Sequence, residues 1–142
     1  MTDTLTFFIP EIQEGTGAYL VDTGISAGFP SPADDFKQHK ISLDRELVRN
    51  KEATFFARVS GQSMIGAGLD DNDLLVIDRS LEPEDNRIAV CFLDGEFTVK
   101  RLRIEKGQLW LQPENPNYKP ILVTEENNFV IWGIVTNVIK RV

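Results

Sequence analysis

The sequence predicts a mostly β protein, a compact antiparallel β domain preceded by a flexible N-terminal arm. From residue 53 onward, short apolar runs rich in β-branched and aromatic residues alternate with turn residues, which is typical of antiparallel strands. Asp94-Gly95 lies between two of these runs and is the strongest hairpin signal in the chain. Residues 1–40 are instead rich in glycine and proline and show little periodicity. We therefore expect an arm over residues 1–40 and a domain over residues 41–142.

The elements follow in order along the chain. Residues 18–21 form a short apolar piece that can pair with a sheet edge, and Ser42 can cap a short helix that ends at residue 49. The loop over residues 113–120 is predicted from its prolines and asparagines. Gly133 is expected to bend the last strand. The predicted strands cover residues 53–60, 74–78, 87–93, 96–104, 108–112 and 129–139.

Composition narrows the function classes. The chain has 142 residues, which suits one domain with its own core, and a formal charge of −7 with scattered basic residues. This balance argues against direct DNA binding, because phosphate contacts need clustered Lys and Arg. No signal peptide or membrane span is visible, and the single cysteine, Cys91, cannot form an internal disulfide. We expect a cytoplasmic protein without membrane attachment.

Ser63 is the first candidate for chemistry. It lies between Gly61 and Gly66, where the backbone can turn sharply and present the hydroxyl. The N–H groups of such a turn can act as an oxyanion hole, and the candidates are those of Ser63 and of either Gln62 or Met64. On the motif alone, a turn serine that hydrogen-bonds its own backbone is the more common alternative.

A serine needs a base, and the only histidine, His39, lies in a polar stretch with no evident reason to meet Ser63. Lys100 can replace it, since burial lowers the pKa of a lysine and favours the neutral amine. Strict alternation along the predicted strand puts Lys100 on a face with both polar and apolar neighbours. Its burial is therefore not readable from the pattern, and a solvated strand lysine remains the ordinary alternative.

The arm offers a possible substrate. Ala27-Gly28 has small residues on both sides of the bond, so that an extended chain could enter a narrow cleft there. The alternative is a linker dipeptide without chemistry. Elsewhere, Met64 and Cys91 are expected to pack in the core. The acidic turn that contains Asp70, Asp71 and Asp73 lacks the spacing of a calcium loop. It is predicted to be solvated rather than to bind metal.

From about Gly28 to the C-terminus, the chain resembles the LexA/UmuD family of self-cleaving proteins. The resemblance is closest to its mutagenesis branch, which supplies the accessory subunit of an error-prone DNA polymerase. The order Ala-Gly, Ser, Lys is the family's order. The matching stretches are residues 29–36, 60–64, 73–78 and 94–100.

The resemblance implies a catalytic pair, with Ser63 as nucleophile and Lys100 as general base, cutting the Ala27–Gly28 bond of the same protein. For the oxyanion hole we expect the Ser63 and Gln62 backbone, and we expect neither cofactor nor metal. The resemblance further implies a homodimer, cleavage stimulated by a RecA filament during the SOS response, and a partner polymerase subunit of the UmuC type.

Three alternatives carry different functions. The domain could be a non-catalytic interaction module with a relict Ser–Lys pair. It could be a fragment of a LexA-like repressor, although twenty-seven residues of this glycine and proline content cannot hold a helix-turn-helix. Signal peptidases also use Ser–Lys chemistry, but they need a membrane anchor that this sequence does not show.

Overall fold

The computed structural model describes residues 4–11, 18–19 and 40–142. It forms two units, one of Met1–Pro10 with Asn50–Val142 and one of Glu11–Arg49. The strands are β1 (Thr4–Phe8), β2 (Ala18–Tyr19), β3 (Lys40–Ile41), β4 (Thr54–Ser60), β5 (Leu74–Asp78), β6 (Ile88–Leu93), β7 (Glu96–Glu105), β8 (Gln108–Gln112), β9 (Ile121–Leu122) and β10 (Phe129–Ile139). The predicted mostly β, antiparallel class is confirmed. The proposed boundary near residue 40 stays a prediction.

The first unit is one eight-stranded sheet in the order β1-β4-β5-β10-β6-β7-β8-β9, with every described pairing antiparallel. Asp94 and Gly95 both have positive φ, 48° and 90°, and close the predicted hairpin between β6 and β7. The predicted strands are confirmed to within one residue at each end. Strand β1 was not predicted because residues 1–40 were interpreted as an arm, and β9 was not predicted because it has only two residues.

Strand β10 lies in the middle of the sheet, between β5 and β6. Its register with β6 shifts between Ile131 and Gly133, and its register with β5 shifts between Val135 and Asn137. A Cβ on Gly133 would lie 2.6 Å from the Ile77 side chain, so only glycine fits this close approach. The bend predicted at Gly133 is therefore a β-bulge.

Alternation along the strands sends neighbouring residues to opposite faces of the sheet and gives two apolar clusters. One contains Val90 and Val99 together with Met64, which is buried as predicted. The other contains Cys91, also buried as predicted, and Leu102.

In the second unit, β2 pairs antiparallel with β3, and a short helix α1 spans Leu43–Leu47. The Ser42 side chain accepts a hydrogen bond from the Arg45 N–H, which confirms the predicted cap. The helix ends two residues earlier than expected, because Val48 leaves the helical conformation. No helix in the described part of the chain is long and apolar enough to cross a membrane.

Candidate active site

Ser63 lies in the loop that follows β4, just before a 3₁₀ turn at Ile65–Ala67. Gly61 has a φ of 136°, which an L side chain rarely adopts, and this turns the chain out of the strand. The Ser63 side chain is then directed inward, and only 1% of the residue is exposed. A turn serine on the surface would be exposed, so the loop serves to bury this hydroxyl.

Lys100 lies on β7 and is 5% exposed. Its Nζ is 3.0 Å from Ser63 Oγ, 2.7 Å from Thr98 Oγ1 and 3.1 Å from the Val99 carbonyl oxygen. The structure therefore brings together the two residues that the sequence singled out, although they are 37 positions apart. Both meet within the first unit.

The burial of Lys100 follows from its place in the strand. It pairs with Ala89 on β6, and Leu102, two residues on, is fully buried on the same face. Glu96 and Ile104 share this face too, but they lie near the ends of β7 and are exposed. The alternation of polar and apolar residues treats all positions on one face of β7 alike. It could not show that the middle of the strand, where Lys100 lies, is buried while the ends are exposed.

A second segment holds the Ser63 loop in place. The Glu114 N–H donates to the Ser63 carbonyl oxygen at 2.9 Å, and the Gly66 N–H donates to the Glu114 carbonyl oxygen at 2.7 Å. The buried Asn115 donates its side-chain Nδ2 to the Gln62 carbonyl oxygen at 2.8 Å. A Cβ on Gly66 would lie 2.5 Å from that Glu114 oxygen. Two successive carbonyls of the serine loop are thereby fixed from one side.

Strand β7 reaches this segment from its other face. The Arg101 guanidinium, next to Lys100 in the chain, forms an ion pair with the Glu114 carboxylate and donates to the Asn86 carbonyl oxygen at 2.7 Å. Residues 113–120 were predicted as a loop, and Arg101 was given no role in the sequence analysis. No pattern in the sequence indicates that Glu114 and Asn115 contact the Ser63 loop.

Cys91 lies opposite Thr98 in the register of β6 and β7, on the same face of the sheet as Lys100. Burial raises the pKa of the Cys91 thiol to about 12, although the nearby Lys100 acts in the opposite direction. The thiol is therefore neutral at any ordinary pH, and Cys91 acts here as a small apolar residue.

The remaining sequence candidates lie elsewhere. Ala27-Gly28 and His39 are outside the described residues. In the acidic turn, Asp70 and Asp71 are exposed as predicted, whereas Asp73 is 5% exposed and thus not solvated. The ammonium of Lys140 contacts both Asp73 and Asp70, and so compensates the charge of the buried Asp73 carboxylate. Within the described residues, no cluster of His, Cys, Asp and Glu side chains could hold a metal ion.

Comparison with known proteins identifies the family of this chain. Residues 19–136 match the family described as peptidase S24-like. The chain belongs to the peptidase S24-like family. Since that match and the relatives below cover most of the chain, the resemblance to the LexA/UmuD group is confirmed.

The relatives in this family include proteins of several bacteria. The chain is 42% identical to MucA of Escherichia coli over 134 residues, covering 89% of this chain and 91% of MucA. It is 44% identical over 115 residues to SamA of Salmonella typhimurium, covering 81% of this chain and 79% of SamA. It is 38% identical over 117 residues to LexA repressor 1 of Geobacter sulfurreducens, covering 82% of this chain but only 57% of the repressor.

Proposed function

We propose that this protein is a serine endopeptidase that cuts its own Ala27–Gly28 bond, with Ser63 as nucleophile and Lys100 as general base. The observation that carries the proposal is the 3.0 Å contact between Lys100 Nζ and Ser63 Oγ, with both side chains almost fully buried. A nucleophile within hydrogen-bond reach of a base is the arrangement that nucleophilic catalysis requires.

Lys100 acts as a base only when its amine is neutral, and its burial favours that form because a buried ammonium loses hydration. Thr98 Oγ1 and the Val99 carbonyl oxygen are acceptors that can take the two N–H bonds of a neutral amine. With those bonds so directed, the nitrogen lone pair points toward the Ser63 hydroxyl. Thr98 is therefore proposed as a positioning residue for the base.

In the first step, the Ser63 hydroxyl transfers its proton to Lys100, and its oxygen forms a bond to the carbonyl carbon of Ala27. The Ala27–Gly28 C–N bond then breaks, and the proton passes from Lys100 to the departing amine of Gly28. Water next attacks the resulting ester, giving up a proton to Lys100. The ester bond breaks, Lys100 returns its proton to Ser63, and the carboxylic acid of Ala27 is released and loses its remaining proton to water.

The developing negative charge on the Ala27 oxygen needs N–H donors, and we assign this role to the Ser63 and Gln62 backbone. The peptide that joins Gln62 to Ser63 supports the assignment. Its carbonyl oxygen is held by Asn115, and in a trans peptide the N–H points to the opposite side. The Ser63 N–H is thus held in one direction before the reaction begins.

The cellular role follows from the family. We infer that cleavage belongs to the SOS response, is promoted by a RecA filament, and yields a homodimeric accessory subunit for an error-prone translesion polymerase of the UmuC type in the cytoplasm. Similarity to MucA over nine-tenths of both chains supports this branch more than the partial match to a LexA repressor does. The acidic net charge agrees with a role through protein contacts rather than direct DNA binding.

Incubation of the purified protein across a series of pH values tests the proposal. Intact mass should show a new fragment that begins at Gly28, and its rate of formation should rise with pH, since the reference pKa of lysine is about 10.4. The Ser63→Ala variant should remain intact under the same conditions. A folded wild-type protein that stays uncut, with or without a RecA filament, would instead support the interaction-module alternative.

A further inference from the structure

The strand β1 is the terminal strand at one edge of the large sheet. It pairs antiparallel with β4 over five residues, from Thr4 opposite Ser60 to Phe8 opposite Phe56. An edge of this kind offers a row of backbone donors and acceptors to any extended segment that reaches it. In this structure the segment that occupies the β4 edge is the N-terminal one.

The side chains of β1 alternate between the core and solvent. Leu5 and Phe7 pack against the first apolar cluster, whereas Phe8 is 45% exposed. The Phe7 ring lies 4.9 Å from the ring of Phe97 on β7 and 4.7 Å from the ring of Trp132 on β10. Phe7 therefore occupies an aromatic socket formed by strands distant in sequence, and it anchors β1.

Strand β1 precedes the Ala27–Gly28 bond, whereas β4 and the socket residues follow it. A cut there would leave the anchored strand without a covalent link to the sheet it completes. We infer that the β4 edge and its aromatic socket form a peptide-binding site for an extended segment with apolar side chains at alternate positions. Its resident ligand is Thr4–Phe8, and self-cleavage makes that ligand exchangeable. This exchange rests on the proposed function.

Because β1 is short, it should remain bound while it is tethered and dissociate once the tether is cut. A tethered strand faces its site at an effective concentration on the order of 1 mM. Five residues with one aromatic anchor give a weak ligand, with a Kd on the order of 100 µM. Before cleavage, the site would be about 90% occupied by these values, and at micromolar protein after cleavage it would be about 1% occupied. Cutting one bond thus empties the site without any other change in the fold.

The emptied site would accept a partner by strand addition. The backbone of β4 supplies the hydrogen bonds, and the socket selects an aromatic side chain at the position of Phe7. Thr4 and Thr6 face away from the cluster, so residues at those positions in a partner are free to vary. The partner class is therefore an extended peptide segment that alternates polar and apolar residues and carries one aromatic anchor.

A fluorescent synthetic peptide with the sequence of residues 1–11 tests the site by anisotropy. It should not bind the uncleavable Ser63→Ala protein at 100 µM, because the resident strand fills the site. It should bind Ser63→Ala/Phe7→Ala, whose own strand has lost its anchor, at least about 10-fold more tightly. The matched variant Ser63→Ala/Phe8→Ala should behave like Ser63→Ala, since Phe8 lies on the solvent face of β1 and outside the aromatic socket.

The self-cleaved wild-type protein is the final arm. It should bind the peptide with a Kd of about 100 µM, and native mass spectrometry should show its own N-terminal fragment leaving on dilution. Equal and negligible binding by the Phe7 variant and the cleaved protein would overturn the inference while leaving self-cleavage intact. If the Phe7 variant binds the peptide but the wild-type protein never cuts itself, the peptide-binding site is supported and the proposed function is refuted. Closure of the β4 edge by a second copy that excludes the peptide would also overturn it.

Discussion

Lys100 and Lys140 lie in the same unit, and their surroundings differ in kind. Lys140 follows β10 on the surface, where its ammonium contacts the carboxylates of Asp70 and Asp73. Hydrogen bonds to these two carboxylates raise the pKa of Lys140. Lys100 is buried within β7, and the contacts described above join it to two hydroxyls and a carbonyl oxygen.

The two environments favour different protonation states of a lysine. Carboxylate partners stabilise the ammonium of Lys140, whereas burial deprives an ammonium of hydration and so favours the neutral amine on which the proposed role of Lys100 depends. Sequence context does not separate them, because each follows a strand pattern of apolar and polar residues. Their chemical difference arises from which side chains the fold places around each nitrogen.

The largest expected effect is on cleavage itself. Lys100→Ala should slow self-cleavage by on the order of 10³-fold or more, because the nucleophile loses its base. Lys140→Ala makes the same substitution at the surface and should leave the rate within about 2-fold of wild type. Mass spectrometry after alkaline incubation measures both. Comparable losses in the two variants would mean that the buried position has no special role.

The next effect concerns the loop that carries Ser63. Asn115→Asp keeps the side-chain oxygen that accepts from the Asn117 N–H but replaces the donor to the Gln62 carbonyl oxygen. Cleavage should slow by about 10- to 100-fold, since the Ser63 N–H is no longer held toward the oxyanion. The pH at which the rate rises should not move, because the base is intact.

Asn117→Asp is the control for that substitution. It adds the same charge two residues away, on an exposed side chain. Its cleavage rate should match wild type. A shifted pH profile in Asn115→Asp, or an equal loss in both variants, would indicate a general charge effect rather than control of the serine loop.

A smaller effect is expected at Thr98. Thr98→Val preserves shape but removes the acceptor 2.7 Å from Lys100 Nζ, so the amine loses one of the contacts that orient it. The rate should fall by about 10-fold. Thr136→Val, which removes a hydroxyl from β10 that donates to the Val76 carbonyl oxygen, is the matched control. The orienting role would be refuted by a Thr98→Val protein that cleaves as fast as Thr136→Val.

The last effect is on alkaline stability, and no change in the cleavage mechanism is expected from it. The pKa of Cys91 is raised from 9.0 to about 12 in the folded state, so above pH 9 the unfolded chain loses a proton that the folded chain keeps. The free energy of unfolding should therefore fall between pH 9 and 12, by at most about 1.4 kcal/mol per pH unit. Urea unfolding of Cys91→Ala should show a shallower fall. Identical slopes would mean that the thiol does not contribute.

The sequence predicted much of this fold because its signals were local. The strand over residues 129–139 was recognised from its β-branched run, and Asp94-Gly95 from the positive φ values its turn needs. Ser63 and Lys100 were identified from their motifs and from the family. The contact of Asn115 with the serine loop depends on two loops that meet in space. The anchoring of Phe7 likewise depends on strands that follow it by about ninety residues or more, so neither could be read locally.

The position of β10 has a consequence for timing. The strands before Leu81 contribute Ser63 and the strands from Ile88 to Leu122 contribute Lys100, and Phe129–Ile139 pairs with both groups. Since chains emerge from the ribosome N-terminus first, this joining strand is made after both reactive residues. A nascent chain therefore lacks the strand that joins the part carrying Ser63 to the part carrying Lys100. Under the proposed function, self-cleavage would wait until this last strand has been made, and a copy that ends before Phe129 would stay uncut.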